Sequence, residues 1–335
     1  MGKMLRPPSV LLTQRDVARL VSPRMVLRVV RGAFLAAARS QTVMPPKVYL
    51  PLPGGNDFRA MPAFLRHPPA CGMKWVNVHA RNPRRGWPSV MALIVINDPA
   101  TGAPLGVMDG LLITKLRTAA AAAVAAQALA RPESAIVGLI GCGAQADAQV
   151  LMLAQVLRRL RRVVVWGYHA GEAAAFCRAM RRRMPALAFE PEARIAACVQ
   201  QADVLVTITP SHRPLVRRSW VRPGTHINAV GADGPGKQEL DPRILRDAVV
   251  VVDDPGQAVH GGELNVPVRR GQYDASRIHA SLGEVLTGRR PARRTARQIT
   301  VFDSTGVAIH DVALGAELVR HARRRGIGRR IAWSA

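Results

Sequence analysis

From residue 131 onward, short runs of β-branched and other apolar residues recur at helix-length intervals: AIVGLIG (135–141), RVVVWG (162–167), ALAFEP (186–191), DVLVTIT (203–209), HINAVG (226–231) and AVVVVDD (248–254). Apolar residues at successive rather than alternating positions predict strands covered on both faces, hence a parallel sheet. Residues 144–160 lie between the first two runs and residues 171–184 between the second and third. Both stretches have the length of a βαβ crossover helix. A last strand-like run, QITVFDS (298–304), precedes a helical pattern over Val307–Arg325. The middle of the chain therefore reads as doubly wound α/β.

The first hundred residues follow another pattern. A helical stretch over Asp16–Ala38 gives way to Pro-punctuated extended segments such as MPPKVYLPLP (44–53) and to an alternating run, Val90–Asn97. This predicts an α+β region. The Ala-rich run Thr118–Ala130 contains Gln127 and falls short of the roughly 20 apolar residues that span a bilayer. We read it as a buried helix of small residues, with Arg117 in its first turn.

The chain has 335 residues, 48% of them hydrophobic, enough for two domains with real cores. Its net charge is +26, yet only five of its 48 basic residues are Lys. An Arg-heavy chain also crowded with Ala, Gly and Pro reflects nucleotide composition, and the 4% of aromatics do not interleave with the basic runs as stacking platforms would. Nucleic acid is accordingly not the expected partner, and no membrane segment is predicted. Cys71, Cys142, Cys177 and Cys198 show neither paired spacing nor a CxxC, which points to reduced thiols and a cytoplasmic setting. The basic start of the chain reaches Thr13, Gln14, Arg15 and Asp16 before an export signal can develop. There is no HExxH and no GxSxG, so neither a metal site nor a hydrolase elbow is expected. His79 and His310 read as satisfied polar or surface residues, and Asp253–Asp254 as a strand-terminal cap.

The segment Gly141–Cys142–Gly143–Ala144–Gln145–Ala146 has the form GxGxxA, after a predicted strand and before a predicted helix. Gly141 permits the tight turn, Gly143 lets a pyrophosphate approach the backbone, and Ala146 lets helix and strand pack. The helix N-terminus then offers free N–H groups to the anion. An acid ending the second strand would select NAD, but Gly167 stands there, 24 residues after Gly143. No Arg occupies the turn, although Arg161, Arg162 and His169 are near in sequence, so NAD and NADP both stay open. Three further charged residues stand out. Lys74 lies in an apolar strand-like stretch where an ammonium is costly to bury unpartnered. Arg117 can fork onto a carboxylate. Asp233, after HINAV in a Gly-rich loop, falls outside the carboxyl end of a strand, where α/β sites form.

Together these pieces resemble the ornithine cyclodeaminase/mu-crystallin family, which includes archaeal-type alanine dehydrogenases and ketimine reductases. The resemblance covers nearly the whole chain. It rests on FRAMPA (58–63), GMKWVN (72–77), PSVMALIVINDPATGAPLGVMDG (88–110), TKLRTAAAA (114–122), GCGAQA (141–146), INAVGADGPGKQEL (227–240) and VFDSTG (301–306). It implies a Rossmann-type dinucleotide domain at 119–305 and a substrate-binding and dimerisation domain built from both chain ends, 1–118 and 306–335. It implies that Lys74 and Arg117 hold a substrate carboxylate, that Asp233 moves the proton with help from Lys74, and that Thr305 lines the substrate side. Cofactor contacts are implied for Ser89, Arg117, Ala144, Gln145, Thr209, Val230, Gly231, Ala232, Lys237 and Ser304, beside Gly141 and Gly143. The expected function is NAD(P)-dependent oxidoreduction at the C–N bond of a small L-amino acid or its imine, by a homodimer. Ornithine cyclodeamination, or cofactor binding without catalysis as in mu-crystallin, are the alternatives. Two departures bear on substrate. Arg59 stands where ornithine cyclodeaminases carry an acid. A cation about 4 Å from ornithine's second ammonium would cost roughly 4 kcal/mol at an effective dielectric of 20. FRAMPA instead looks like the alanine dehydrogenase branch, in which this Arg supplements the carboxylate clamp. Lys47 keeps the charge but loses the fork where many relatives have Arg.

Overall fold

The computed structural model describes residues 8–79 and 81–332 and divides into two compact units, Met1–Arg117 with Val307–Ala335, and Thr118–Gly306. The basic start at residues 1–7, part of the segment read above as lacking an export signal, lies outside the described residues. Among the described residues, no helix is long and apolar enough to cross a membrane.

The Thr118–Gly306 unit is built on eight parallel strands in the order Ala188–Pro191, Arg162–Trp166, Ile136–Ile140, Val204–Thr207, His226–Ala229, Thr300–Asp303, Val249–Val252 and Ala280–Ser281. Three of these strands, Val204–Thr207, His226–Ala229 and Thr300–Asp303, are buried at every position, as their unbroken apolar runs require. Chain order reverses on either side of Ile136–Ile140, so a crevice forms beyond its carboxyl end. The predicted crossover helices are Ala146–Val156 and Glu172–Arg183.

In the other unit the sheet runs Arg329–Ile331, Ser9–Leu12, Pro104–Asp109, Val90–Asn97, Ala70–Val78, Asn56–Leu65 and Thr42–Val43, with Val48–Leu52 also paired to Asn56–Leu65. Both chain ends enter it, since Val10 pairs with Arg330 on one side and Gly106 on the other. The helices Pro23–Ala38 and Ala308–Arg325 pack together, and the latter lies on the sheet. Register sorts the two faces. Met61, Lys74, Ile94 and Met108 form one cross-strand row and are all buried. Val48, Ala60, Trp75 and Leu93 form a row on the opposite face, where Val48 and Leu93 are exposed.

Two local expectations are corrected. The helix expected over Asp16–Ala38 is two helices, Gln14–Leu20 and Pro23–Ala38. Pro23 has no N–H to continue the first, and Ser22 caps the second by accepting from Met25 N. The Ala-rich helix begins not at Thr118 but at Leu111, whose N–H donates to Asp109 Oδ1. Arg117 is thus in its second turn, and Ala119 to Ala126 are buried around the whole circumference.

Candidate functional site

In the unit formed by both chain ends, alternation along Ala70–Val78 turns Lys74 to the buried face, where it is 1% exposed. An ammonium so placed needs an anion. Asp311 supplies it, with Lys74 Nζ 2.8 Å from Oδ2 and Arg117 Nε 3.0 Å from Oδ1. Asp311 is in the first turn of Ala308–Arg325, where the helix dipole favours a carboxylate. Burial works to raise its pKa, but Arg117 and Lys74 outweigh that and hold it below the ordinary value. Burial, then Arg117, push Lys74 down to about 7 against the pull of Asp311, with Lys47 adding to the fall. Two cations thus share one carboxylate, with Lys47 close enough to act on Lys74. His310 is neither on the surface nor satisfied, contrary to expectation. It is fully buried, neither ring nitrogen has a hydrogen-bond partner among the described residues, and its ring meets Phe34 edge-on at 4.4 Å. Burial, then Arg117, push its pKa to about 3, so the ring is neutral. His79 is satisfied as expected, paired with Asn77.

Arg59 carries a bidentate ion pair to Asp57, both contacts 3.0 Å, and its guanidinium lies 5.2 Å from the Tyr49 ring centroid. That pairing was not foreseen and modifies the electrostatic argument. A neutral Arg59–Asp57 pair repels a second ammonium less than the lone cation assumed above. Ser89 precedes the strand Val90–Asn97, and its carbonyl accepts from His79 N.

In the Thr118–Gly306 unit, Gly141, Gly143 and Thr209 share the wall of a cavity of about 540 Å³ at the end of the Ile136–Ile140 strand. Gly141 has φ +101°, and a Cβ there would stand 2.9 Å from Thr209 Cγ2. A Cβ on Gly143 would meet nothing within 4 Å, so its backbone faces open space. Gln145 Oε1 and Ser304 Oγ are buried without a hydrogen-bond partner among the described residues. A bare glycine backbone at a helix N-terminus and orphaned polar atoms on two implied contact residues suit a dinucleotide.

Three buried acids brace the loops of this unit. Glu239 accepts from Thr209 N and Oγ1, both at 2.7 Å, and from Gly231 N at 3.0 Å. Only glycine fits at 231, because a Cβ would stand 2.3 Å from Glu239 Oε2. Glu263 accepts from Glu239 N and Leu240 N, and Asp303 from Glu263 N and Leu264 N. Burial pushes Glu239 up to about 7 against its hydrogen bonds, and lifts Glu263 well above the carboxylate range with Glu239's charge adding. Asp233 is ion-paired with Lys237, and Val230 and Ala232 are buried in the same loop. Of the Asp253–Asp254 pair, only Asp254 serves chiefly as a cap, accepting from Gln257 N. Asp253 instead holds Thr305 Oγ1 at 2.9 Å and Gly306 N at 2.7 Å.

Sequence reasoning missed Asp311, Glu239 and Asp57. The signal for Asp311 was a carboxylate in the apolar helix segment AIHDVALGAEL, and for Glu239 a carboxylate in QEL directly after the glycine loop.

The chain resembles known proteins over nearly its whole length. The chain is 45% identical over 329 residues to alanine dehydrogenase of Archaeoglobus fulgidus, covering 96% of this chain and 98% of that one. It superposes on an archaeal alanine dehydrogenase dimer with bound NAD at a TM-score of 0.93, with 43% identity over 97% of this chain and 99% of that chain. It superposes on Δ1-pyrroline-2-carboxylate reductase of Thermococcus litoralis, in complex with NADH and L-proline, at 0.92, with 32% identity over 96% of this chain and 99% of that chain. The family model for ornithine cyclodeaminase/mu-crystallin matches residues 8–325, and with the glycine loop and the Lys74–Arg117–Asp311 cluster in place, the chain belongs to that family.

Proposed function

We propose that this NAD(P)-dependent oxidoreductase oxidises a small monocarboxylic L-amino acid of the alanine type to its imine, and in reverse reduces an imine formed from a 2-oxo acid and ammonia. The observation that carries the reading is the buried cluster in which Lys74 and Arg117 share the single carboxylate of Asp311. Two cations on one anion, with Lys47 nearby, favour the carboxylate of an amino acid. The bound nicotinamide would accept or return the hydride. Arg117 and Lys74 hold the substrate carboxylate, with Lys47 and Arg59 supplementing them. Asp233 takes and returns protons of the amine and of the water that hydrolyses the imine, with Lys237 on its carboxylate and Lys74 as a second proton carrier. Ser89, Arg117, Gly141, Gly143, Ala144, Gln145, Thr209, Val230, Gly231, Ala232, Lys237 and Ser304 serve the cofactor, and Thr305 serves the substrate.

The working form is proposed to be a homodimer in the cytoplasm. Val48 and Leu50, on one face of their strand, are 63% and 50% exposed, and Leu93 on the same sheet face is 54% exposed. Such an apolar face suits an interface between copies, and the cysteines are all free thiols. Sedimentation should give a dimer that Leu50→Glu weakens.

Absorbance at 340 nm with L-alanine and each oxidised cofactor, and with pyruvate, ammonia and each reduced one, tests the activity. Ornithine is assayed alongside for ammonia and proline. Turnover of alanine with little from ornithine supports the reading. Proline formation without net reduction overturns it in favour of cyclodeamination, and cofactor binding without turnover of any substrate favours a binding protein.

A further inference from the structure

The second strand of the nucleotide-binding sheet, Arg162–Trp166, leads into Gly167, the position from which an acid would receive the ribose 2′-hydroxyl. Packing crowds any side chain there. A Cβ on Gly167 would stand 2.9 Å from Cys142 Sγ, 3.0 Å from Glu172 Cβ and 3.1 Å from Ala173 N. Those distances also show what has taken up the space: Glu172, first residue of the helix Glu172–Arg183, lies against the Gly167 backbone. Its Oε2 accepts from His169 N at 3.1 Å, which orients the carboxylate, and its side chain lines the same cavity as Gly141 and Gly143.

We propose that Glu172 replaces the missing strand-end acid, accepting the 2′-hydroxyl of NAD and repelling the 2′-phosphate of NADP. The lining of the cavity supports this. Although the chain carries 48 Lys and Arg residues, none is among the described residues lining the cavity, and Glu172 is the acid there. A 2′-phosphate would meet a carboxylate and no guanidinium. Arg162, near in sequence, begins the strand rather than ending it, about 13 Å away at ~3.3 Å per residue, and is paired with Glu190. Tyr168, 75% exposed on the cavity wall, offers an aromatic face to the adenine.

The inference rests on the dinucleotide reading of this cavity and is independent of the amino-acid substrate, so its test is binding. Titrations of the purified protein with NADH and with NADPH, followed by nucleotide fluorescence, should show NADH bound at least about 100-fold more tightly. Glu172→Gln, which keeps an acceptor and removes the charge, should tighten NADPH about tenfold while NADH changes less than about threefold. Glu172→Ala should weaken NADH about tenfold. A general loss of folding is read separately, from the cooperative urea-unfolding transition of each variant. Equal affinity of the wild type for the two nucleotides, or an unchanged ratio in both variants, overturns the assignment of Glu172. Failure of the wild type to bind either nucleotide overturns the reading of the cavity itself.

Discussion

Both units bury carboxylates, but they set them against different partners. Asp311 faces the side-chain cations Lys74 and Arg117, whereas Glu239, Glu263 and Asp303 face backbone amides. The partner decides what the acid does. Amides are fixed dipoles without net charge, so an acid that satisfies them locks loops in place, here the turns at Thr209, Gly231, Leu240 and Leu264. Two cations on a single acid leave positive charge for an incoming anion. One arrangement shapes a site and the other charges it.

Substitutions can break this contrast. The largest effect is expected outside both networks: Asp233→Asn should lower turnover by about 10²- to 10⁴-fold while cofactor binding survives in a fluorescence titration. Unchanged turnover would remove Asp233 from the proton transfer. Asp311→Asn leaves two buried cations without their anion and should cost about 3–5 kcal/mol in urea denaturation. Oxamate, an unreactive carboxylate, should restore more stability to this variant than to the wild type, and equal effects would mean that the cluster does not bind carboxylates.

Glu239→Gln should cost about 1–3 kcal/mol and weaken cofactor binding more than it lowers turnover at saturation. Because burial raises the folded pKa of Glu239 from the ordinary 4.5 to about 7, the folded state holds its proton longer than the unfolded one. Its stabilising contribution is therefore complete below about 4.5 and lost as pH rises toward 7, and the Gln variant should flatten that part of the stability profile. The smallest effect concerns Lys74. With a pKa of about 7 in the ligand-free protein, its positive charge disappears above neutrality. Oxamate affinity should fall by at most about tenfold per pH unit there, and the slope should vanish in Lys74→Met.

Much of this was legible before the structure. The parallel sheet announced itself through unbroken apolar runs, and Gly141–Gly143 through their place between strand and helix. Lys74 was conspicuous because an ammonium interrupts an apolar strand. Its partner was not, since Asp311 lies 237 positions further on, and only the register of the sheet against the Ala308–Arg325 helix joins them. The Asp57–Arg59 pair escaped because two residues apart on a strand share a face, a relation visible only once the strand is assigned. The divided helix at Ser22–Pro23 was written in the local sequence, but the apolar period continuing across it concealed the break.

The antiparallel pairing of Ser9–Leu12 with Arg329–Ile331 also sets a clock. At a synthesis rate of about 5–20 residues per second, the first strand leaves the ribosome roughly 15–60 s before its neighbour exists. The strands of the Thr118–Gly306 sheet are all made before that neighbour. In the living cell the unit that carries the cationic cluster is therefore the last to close, and until it closes its apolar sheet edge is available to chaperones and to other nascent copies of the chain.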